Sequence, residues 1–181
     1  ARTGTYLVMT AHVGDIINVE MYPKDKRNLN YMERDTVLKG VSPEFYSLPN
    51  NVWAITKTRP LTNKEKLPEY PWDNKTAMKN DTDLTELTLM NLRGKSGMSG
   101  VPITLVVSQS DGLLPGLSEF HYCKEENRWG LGGNLQNYYF ELLPDVSLSR
   151  TKVRQKVQTS YPLQRAAQFT SELLQIHQFH R

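Results

Sequence analysis

The chain has 181 residues, enough to bury a sizeable core without staples, as one domain or as two small barrels sharing a cleft. Its 22 Lys and Arg against 19 Asp and Glu leave a net charge of +3, mildly basic and by itself no nucleic-acid signature. A single cysteine, Cys123, excludes an internal disulfide and a cysteine-built zinc site and favours a reducing, cytoplasmic setting; no run reaches the roughly 18 apolar residues of a membrane span, and the first residues carry no secretion signal.

Taken in chain order, the residues read mostly as short strands, so a mainly β fold is expected, a barrel or double barrel with a C-terminal amphipathic helix. Residues 1–57 form a first β half, with β-prone runs at Tyr6–Val13, Ile16–Tyr22, part of Leu29–Lys39, and Val52–Lys57. Residues 58–83 hold Arg59-Pro60, Lys64-Glu65-Lys66, Pro68 and Pro71 with few aliphatics, which predicts a long polar loop or linker. Residues 84–159 form a second β half, with strands at Leu84–Leu92, Ile103–Ser108, Leu113–Tyr122 and Tyr138–Leu143. Arg150, Lys152, Arg154 and Lys156 alternate with smaller or apolar residues, which as a strand would put all four cations on one face. The last stretch, 160–181, changes period. Pro162 suits a first helical turn, and Leu163, Ala166, Ala167, Thr170, Leu173, Leu174 and His177 follow helical spacing for about four turns.

Three segments carry residues suited to chemistry. Thr10-Ala11-His12-Val13 closes an apolar run with a histidine, a side chain whose near-neutral pKa fits general base work. Asp35 opens the run Thr36-Val37-Leu38-Lys39 and is a residue type that can orient such a base. Gly97-Met98-Ser99-Gly100-Val101-Pro102 holds a serine between glycines, where neighbouring backbone N–H groups can face a developing oxyanion. The two histidines His177 and His180, without a third ligand, do not make a zinc site, and no metal or cofactor is expected.

The order His12, Asp35, Ser99 and the local patterns around them resemble the chymotrypsin-like serine proteases, above all the compact viral polyprotein-processing type. A softer match is Asp111-Gly112-Leu113-Leu114-Pro115-Gly116-Leu117, similar to the family's strand after the nucleophile. The resemblance implies a serine endopeptidase acting by acyl transfer from Ser99. His12 would be the base, Asp35 its orienter, and the amides of Gly97 and Ser99 the oxyanion hole. It also implies a polypeptide substrate, with Arg93 and His121 near the specificity pocket, and a host-cell cytoplasmic location if the chain is viral. Only eleven residues precede His12, fewer than the pair of strands such a barrel sets before its histidine. An incomplete first barrel, closure by another segment or chain, and an accidental match are the three consequences.

Two further readings stand beside the peptidase. One is a non-enzymatic β-rich structural or assembly protein, of coat or matrix type, that self-assembles through an edge strand or the terminal helix. The other is a nucleic-acid-binding barrel that meets a polyanion, or an acidic partner, through Arg150, Lys152, Arg154 and Lys156.

Overall fold

A computed structural model describes residues 7–17, 21–22, 29–71, 83–95 and 99–179. The chain forms two compact units, residues 1–54 with 90–102, and residues 55–89 with 103–181. The fold is mainly β, and among the described residues no sheet closes into a barrel. No helix among the described residues is long and apolar enough to cross a membrane.

In the first unit, β1 (Val13–Asp15) pairs antiparallel with β2 (Thr36–Leu38), Val13 opposite Leu38 and Asp15 opposite Thr36. Two further backbone bonds extend the ladder. The Ile16 N–H donates to Asp35 O at 2.7 Å and the Lys39 N–H to His12 O at 2.8 Å. The longer strand expected over Tyr6–Val13 shrinks to this short ribbon, since Leu7 to His12 form no regular structure and lie exposed. The run Ile16–Tyr22 falls partly outside the described residues, and its described residues form no strand. A 3-10 helix, Pro43–Ser47, follows, and among the described residues Met32, Tyr46 and Leu92 are the unit's buried apolar side chains.

Strands β3 (Asn51–Pro60) and β4 (Leu84–Gly94) contribute residues to both units, and with β5 (Pro102–Ser108) and β6 (Gly112–Leu113) they form one sheet in the order β3-β4-β5-β6. β3 is therefore an edge strand, with Trp53 and Ile55 exposed on it and Lys57, Arg59 and Pro60 towards its end.

The predicted polar loop is corrected over its first half. Residues 58–60 continue β3, and the next residues turn back on themselves through a Thr62–Pro68 bridge. Asn63 builds that turn, its Oδ1 accepting the N–H groups of Glu65 and Leu67, each at 2.9 Å. The turn sends Leu61 and Tyr70 into the core, so its purpose is to deliver an aromatic anchor. Residues 72–82 lie outside the described residues.

Two predicted strands are helices. Leu113–Tyr122 becomes α1 (Pro115–Glu125). Pro115 cannot donate to a central ladder but suits a first helical turn. Leu114, Leu117, Phe120, His121 and Cys123 recur at helical, not strand, spacing and are buried. A meander of β7 (Leu131–Gly133), β8 (Asn137–Phe140) and β9 (Leu143–Ser149) follows, antiparallel throughout. The basic stretch then turns at Ser149–Lys152, where the Lys152 N–H donates to Ser149 O at 2.9 Å, and winds into α2 (Val153–Thr159). Val153 and Val157, one helical turn apart, are fully buried, and that spacing outweighs the alternation of charges. The terminal helix forms as α3 (Tyr161–Phe179), burying Leu163, Ala166, Ala167, Thr170, Ser171 and Leu174.

Phe120 of α1 is the centre of the second unit's core. Tyr70, Tyr138 and Phe140 meet its ring edge-on, with centroids 5.9, 5.4 and 5.9 Å away. This is the geometry that aromatic quadrupoles favour. Helices α1 and α2 cross closely at Gly116, where a Cβ would stand 2.8 Å from Val157 Cγ1.

Candidate functional site

The three residues of the motif order lie in the first unit. His12 precedes β1, exposed, and among the described residues its imidazole makes no hydrogen bond. Asp35 sits in the turn before β2 with φ +56°, a left-handed conformation that Asp tolerates better than most residues. The ladder register puts His12 beside Lys39 and Asp35 beside Ile16. Base and orienter therefore stand four strand positions apart, roughly 13 Å at about 3.3 Å per residue. That exceeds the reach of an imidazole–carboxylate hydrogen bond. Ser99 is half-buried, and its Oγ accepts the Gly94 N–H at 3.0 Å. The hydroxyl thus ties Ser99 to the end of β4, and the next residue, Gly100, has φ +83° with a Cβ position filled by the Tyr31 ring. Gly97 lies outside the described residues.

The two residues assigned to substrate binding are also engaged. Arg93 donates from Nη1 to Tyr46 O at 2.6 Å, tying β4 to the 3-10 helix. His121 is in the second unit, 3% exposed, within a polar chain that no local motif announces. Arg59 of β3 grips Glu86 of β4 with two hydrogen bonds, Nε to Oε1 at 2.9 Å and Nη2 to Oε2 at 2.7 Å. His121 Nε2 lies 3.2 Å from Glu86 Oε2, and Tyr70 Oη lies 3.0 Å from His121 Nδ1. One tautomer satisfies every group. Tyr70 donates to Nδ1, the protonated Nε2 donates to Glu86, and Arg59 donates twice to the same carboxylate.

The electrostatics follow from burial and these bonds. Burial works against ionisation of Glu86, but hydrogen bonds from Arg59 and His121 outweigh it and hold the carboxyl below its ordinary value. Burial pushes the His121 pKa down, and the Glu86 bond only partly offsets it. Burial likewise raises the Tyr70 phenol well above its ordinary value. The result is a neutral histidine and tyrosine on an ionised carboxylate, the polarity of a proton relay. Tyr70 is 0% exposed, however, so the relay's end meets core, not solvent. Its chemical effect is to hold β3, β4, α1 and the 61–70 turn together.

The four cations of the basic stretch have separate duties. Arg150 donates to the carbonyls of Glu69 and Pro68 at 3.3 and 3.5 Å, and Lys156 Nζ donates to Ser147 O at 2.9 Å. Arg154, 2% exposed, is ion-paired with Asp83, lies 3.2 Å from Asp111 Oδ2 and donates to Ser108 Oγ at 3.3 Å. Lys152 alone of the four is exposed, while Arg150 and Lys156 are half-buried. The spread leaves no single basic face, the correction that the α2 helix imposes on the strand reading.

The remaining feature of the second unit is the outer side of α3. Leu174 is 2% exposed and belongs to the core, while its neighbour Leu173 is 45% exposed. Tyr161, Phe169, Ile176 and Phe179 are exposed as well. The helix therefore carries an apolar side that its own chain covers and apolar residues that it leaves open. Sequence periodicity found the covered side at Leu163, Ala166, Ala167, Thr170 and Leu174, but Leu173 and His177, expected on the same stripe, lie exposed. The open one shows only as surplus apolar residues at positions that a one-sided helix gives to polar ones. Of the terminal histidines, His177 stacks on Trp129 with ring centroids 6.1 Å apart, and His180 lies outside the described residues. Among the described residues, no three of His, Cys, Asp or Glu converge to hold a metal ion.

No protein-family model, no curated protein and no solved structure matches the chain.

Proposed function

We propose that the chain is a non-enzymatic assembly protein, a β-rich module that works by associating with copies of itself. The observation that carries this reading is the second apolar side of α3, with Phe169, Leu173 and Ile176 between 45% and 51% exposed on an ordered helix whose opposite side is fully covered. Exposed apolar groups arrayed along one helix gain about 25 cal/mol for each Å² that a partner covers. The exposed edge strand β3, with Trp53 and Ile55 open, is a second surface of the kind such proteins use.

The serine endopeptidase reading, with its chymotrypsin-like barrel, draws its support from the order of the three motifs, the residue patterns around them and the softer Asp111–Leu117 match. The nucleic-acid reading draws its support from the basic stretch 150–156. The cytoplasmic setting draws on the lone cysteine, and Cys123 fits a reducing compartment as a core residue whose thiol burial pushes up to about 12.

Sedimentation equilibrium over a wide concentration range tests the proposal. Mass rising with concentration from one chain to a defined multiple is the expected result. A chain that stays monomeric throughout overturns it.

A further inference from the structure

We propose that two copies pair through α3, antiparallel, about a twofold axis that passes between Gln168 and Phe169. This rests on the assembly reading and specifies its contact.

Counting about 100° per residue around the helix, Tyr161, Arg165, Glu172 and Ile176 fall on the side opposite buried Leu163, Ala167, Thr170 and Leu174. Their order along the axis is aromatic, cation, anion, aliphatic. In an antiparallel pair centred between 168 and 169, residue 165 of one copy faces residue 172 of the other, and residue 161 faces residue 176. The stripe is thus its own complement. Each Arg165 meets a Glu172, each Tyr161 meets an Ile176, and the two Phe169 rings lie beside the axis. Isologous contact of this kind makes a closed dimer, not a fibre. A parallel pair in register would set Arg165 against Arg165 and Glu172 against Glu172, a like-charge arrangement that the same residues disfavour.

The stripe is also held ready. The Arg165 guanidinium lies over the Phe169 ring, 4.4 Å from its centroid, and its Nη1 donates to Gln168 Oε1 at 2.6 Å. Gln168 in turn donates from Nε2 to Glu172 Oε1 at 2.8 Å. The cation, the aromatic and the anion are therefore fixed along one line before a partner arrives, which lowers the entropy lost on association. A helix pair is a small interface, so the expected dimer is weak and concentration-dependent.

The test uses the full chain, its charge variants and sedimentation equilibrium at low salt. Arg165→Glu and Glu172→Arg should each weaken the dimer at least about tenfold, because each sets two like-charge pairs across the axis. The double variant should return to within about threefold of the parent, since the ion pairs re-form with reversed sign. As a second measurement, Gln168→Cys, beside the axis, should give a cross-linked dimer under mild oxidation, while Gln175→Cys should not. If the parent dimerises but the single variants leave the affinity unchanged, or the double variant fails to recover, the α3 register is overturned and the assembly reading stands. If the parent is monomeric at every concentration, both fall.

Discussion

His121 Nε2 lies 3.2 Å from Glu86 Oε2, and that contact joins α1 to the sheet through two side chains almost wholly out of water. Because Tyr70 also approaches Nδ1, the ring has one satisfactory state, neutral and protonated on Nε2. Removing the carboxylate by Glu86→Ala strands that N–H in the core. The expected loss is about 1–3 kcal/mol in denaturant unfolding, before any loss of packing. Tyr70→Phe should cost less, about 1 kcal/mol, since the ring stays. Nitrogen chemical shifts of His121 check the tautomer directly; a proton on Nδ1 would contradict the chain of donors.

The same contact makes stability pH-dependent. Both His121 and Glu86 have pKa values lowered by the fold. A lowered pKa means that the unfolded chain binds more protons, so stability rises with pH. The histidine contribution is present above its unfolded value, about 6.5, and fades as pH falls from there; the carboxylate contribution fades lower, beneath about 4.3. Thermal unfolding should therefore shift to lower temperature between pH 7 and 5. His121→Gln should flatten that part of the profile. A variant with the parent's slope would place the titrating group elsewhere.

Where the pattern was local, the sequence was legible. β3, β4 and β5 follow from β-prone runs between turn residues, and α3 follows from its buried stripe at Leu163, Ala167 and Leu174. α1 was hidden because Leu113 and Leu114 begin like a strand and Pro115 reads as a stop, although it is equally a helix start. α2 was hidden because four cations at alternate positions imitate a strand face while Val153 and Val157 carry the true period. The relay was out of reach for a different reason. Arg59, Tyr70, Glu86 and His121 lie on four separate elements, and only tertiary contact brings them together. His121 stood out as a chemical residue, but its sequence neighbourhood says nothing of Glu86. The register of β1 and β2 sets His12 beside Lys39 and Asp35 beside Ile16, and motif order does not encode which residues face each other across a ladder.

Arg154 gives a prediction against the nucleic-acid reading. Its guanidinium is buried between Asp83 and Asp111, joining α2 to the ends of β4 and β6. Arg154→Ala should cost about 3 kcal/mol, the low end for breaking a buried ion pair because both carboxylates keep some contact with water. Lys152→Glu, at the surface, should change stability by less than about 0.5 kcal/mol. Salt-sensitive oligonucleotide binding that Lys152→Glu abolishes would restore a polyanion role to this stretch.

Ser99 should be unreactive. Its Oγ accepts the Gly94 N–H and makes no hydrogen bond to an imidazole among the described residues, so no base there draws off its proton. A fluorophosphonate probe should leave the intact mass unchanged. An adduct that disappears in Ser99→Ala would revive the endopeptidase reading.

Leu173 and Leu174 are adjacent and should separate fold from assembly. Leu174 is 2% exposed and belongs to the cluster that includes Leu163, Ala167 and Val157. Truncation to alanine there removes buried methyl groups and leaves a cavity, an expected loss of about 2–5 kcal/mol. Leu173 is 45% exposed, so its truncation should cost less than about 1 kcal/mol. The two effects come from one chemical change at neighbouring positions, which cancels differences in helix propensity. Denaturant midpoints of the two variants decide the matter. Equal losses at both positions would mean that the outer side of α3 is already covered within the chain, and that no partner is needed to explain its apolar residues.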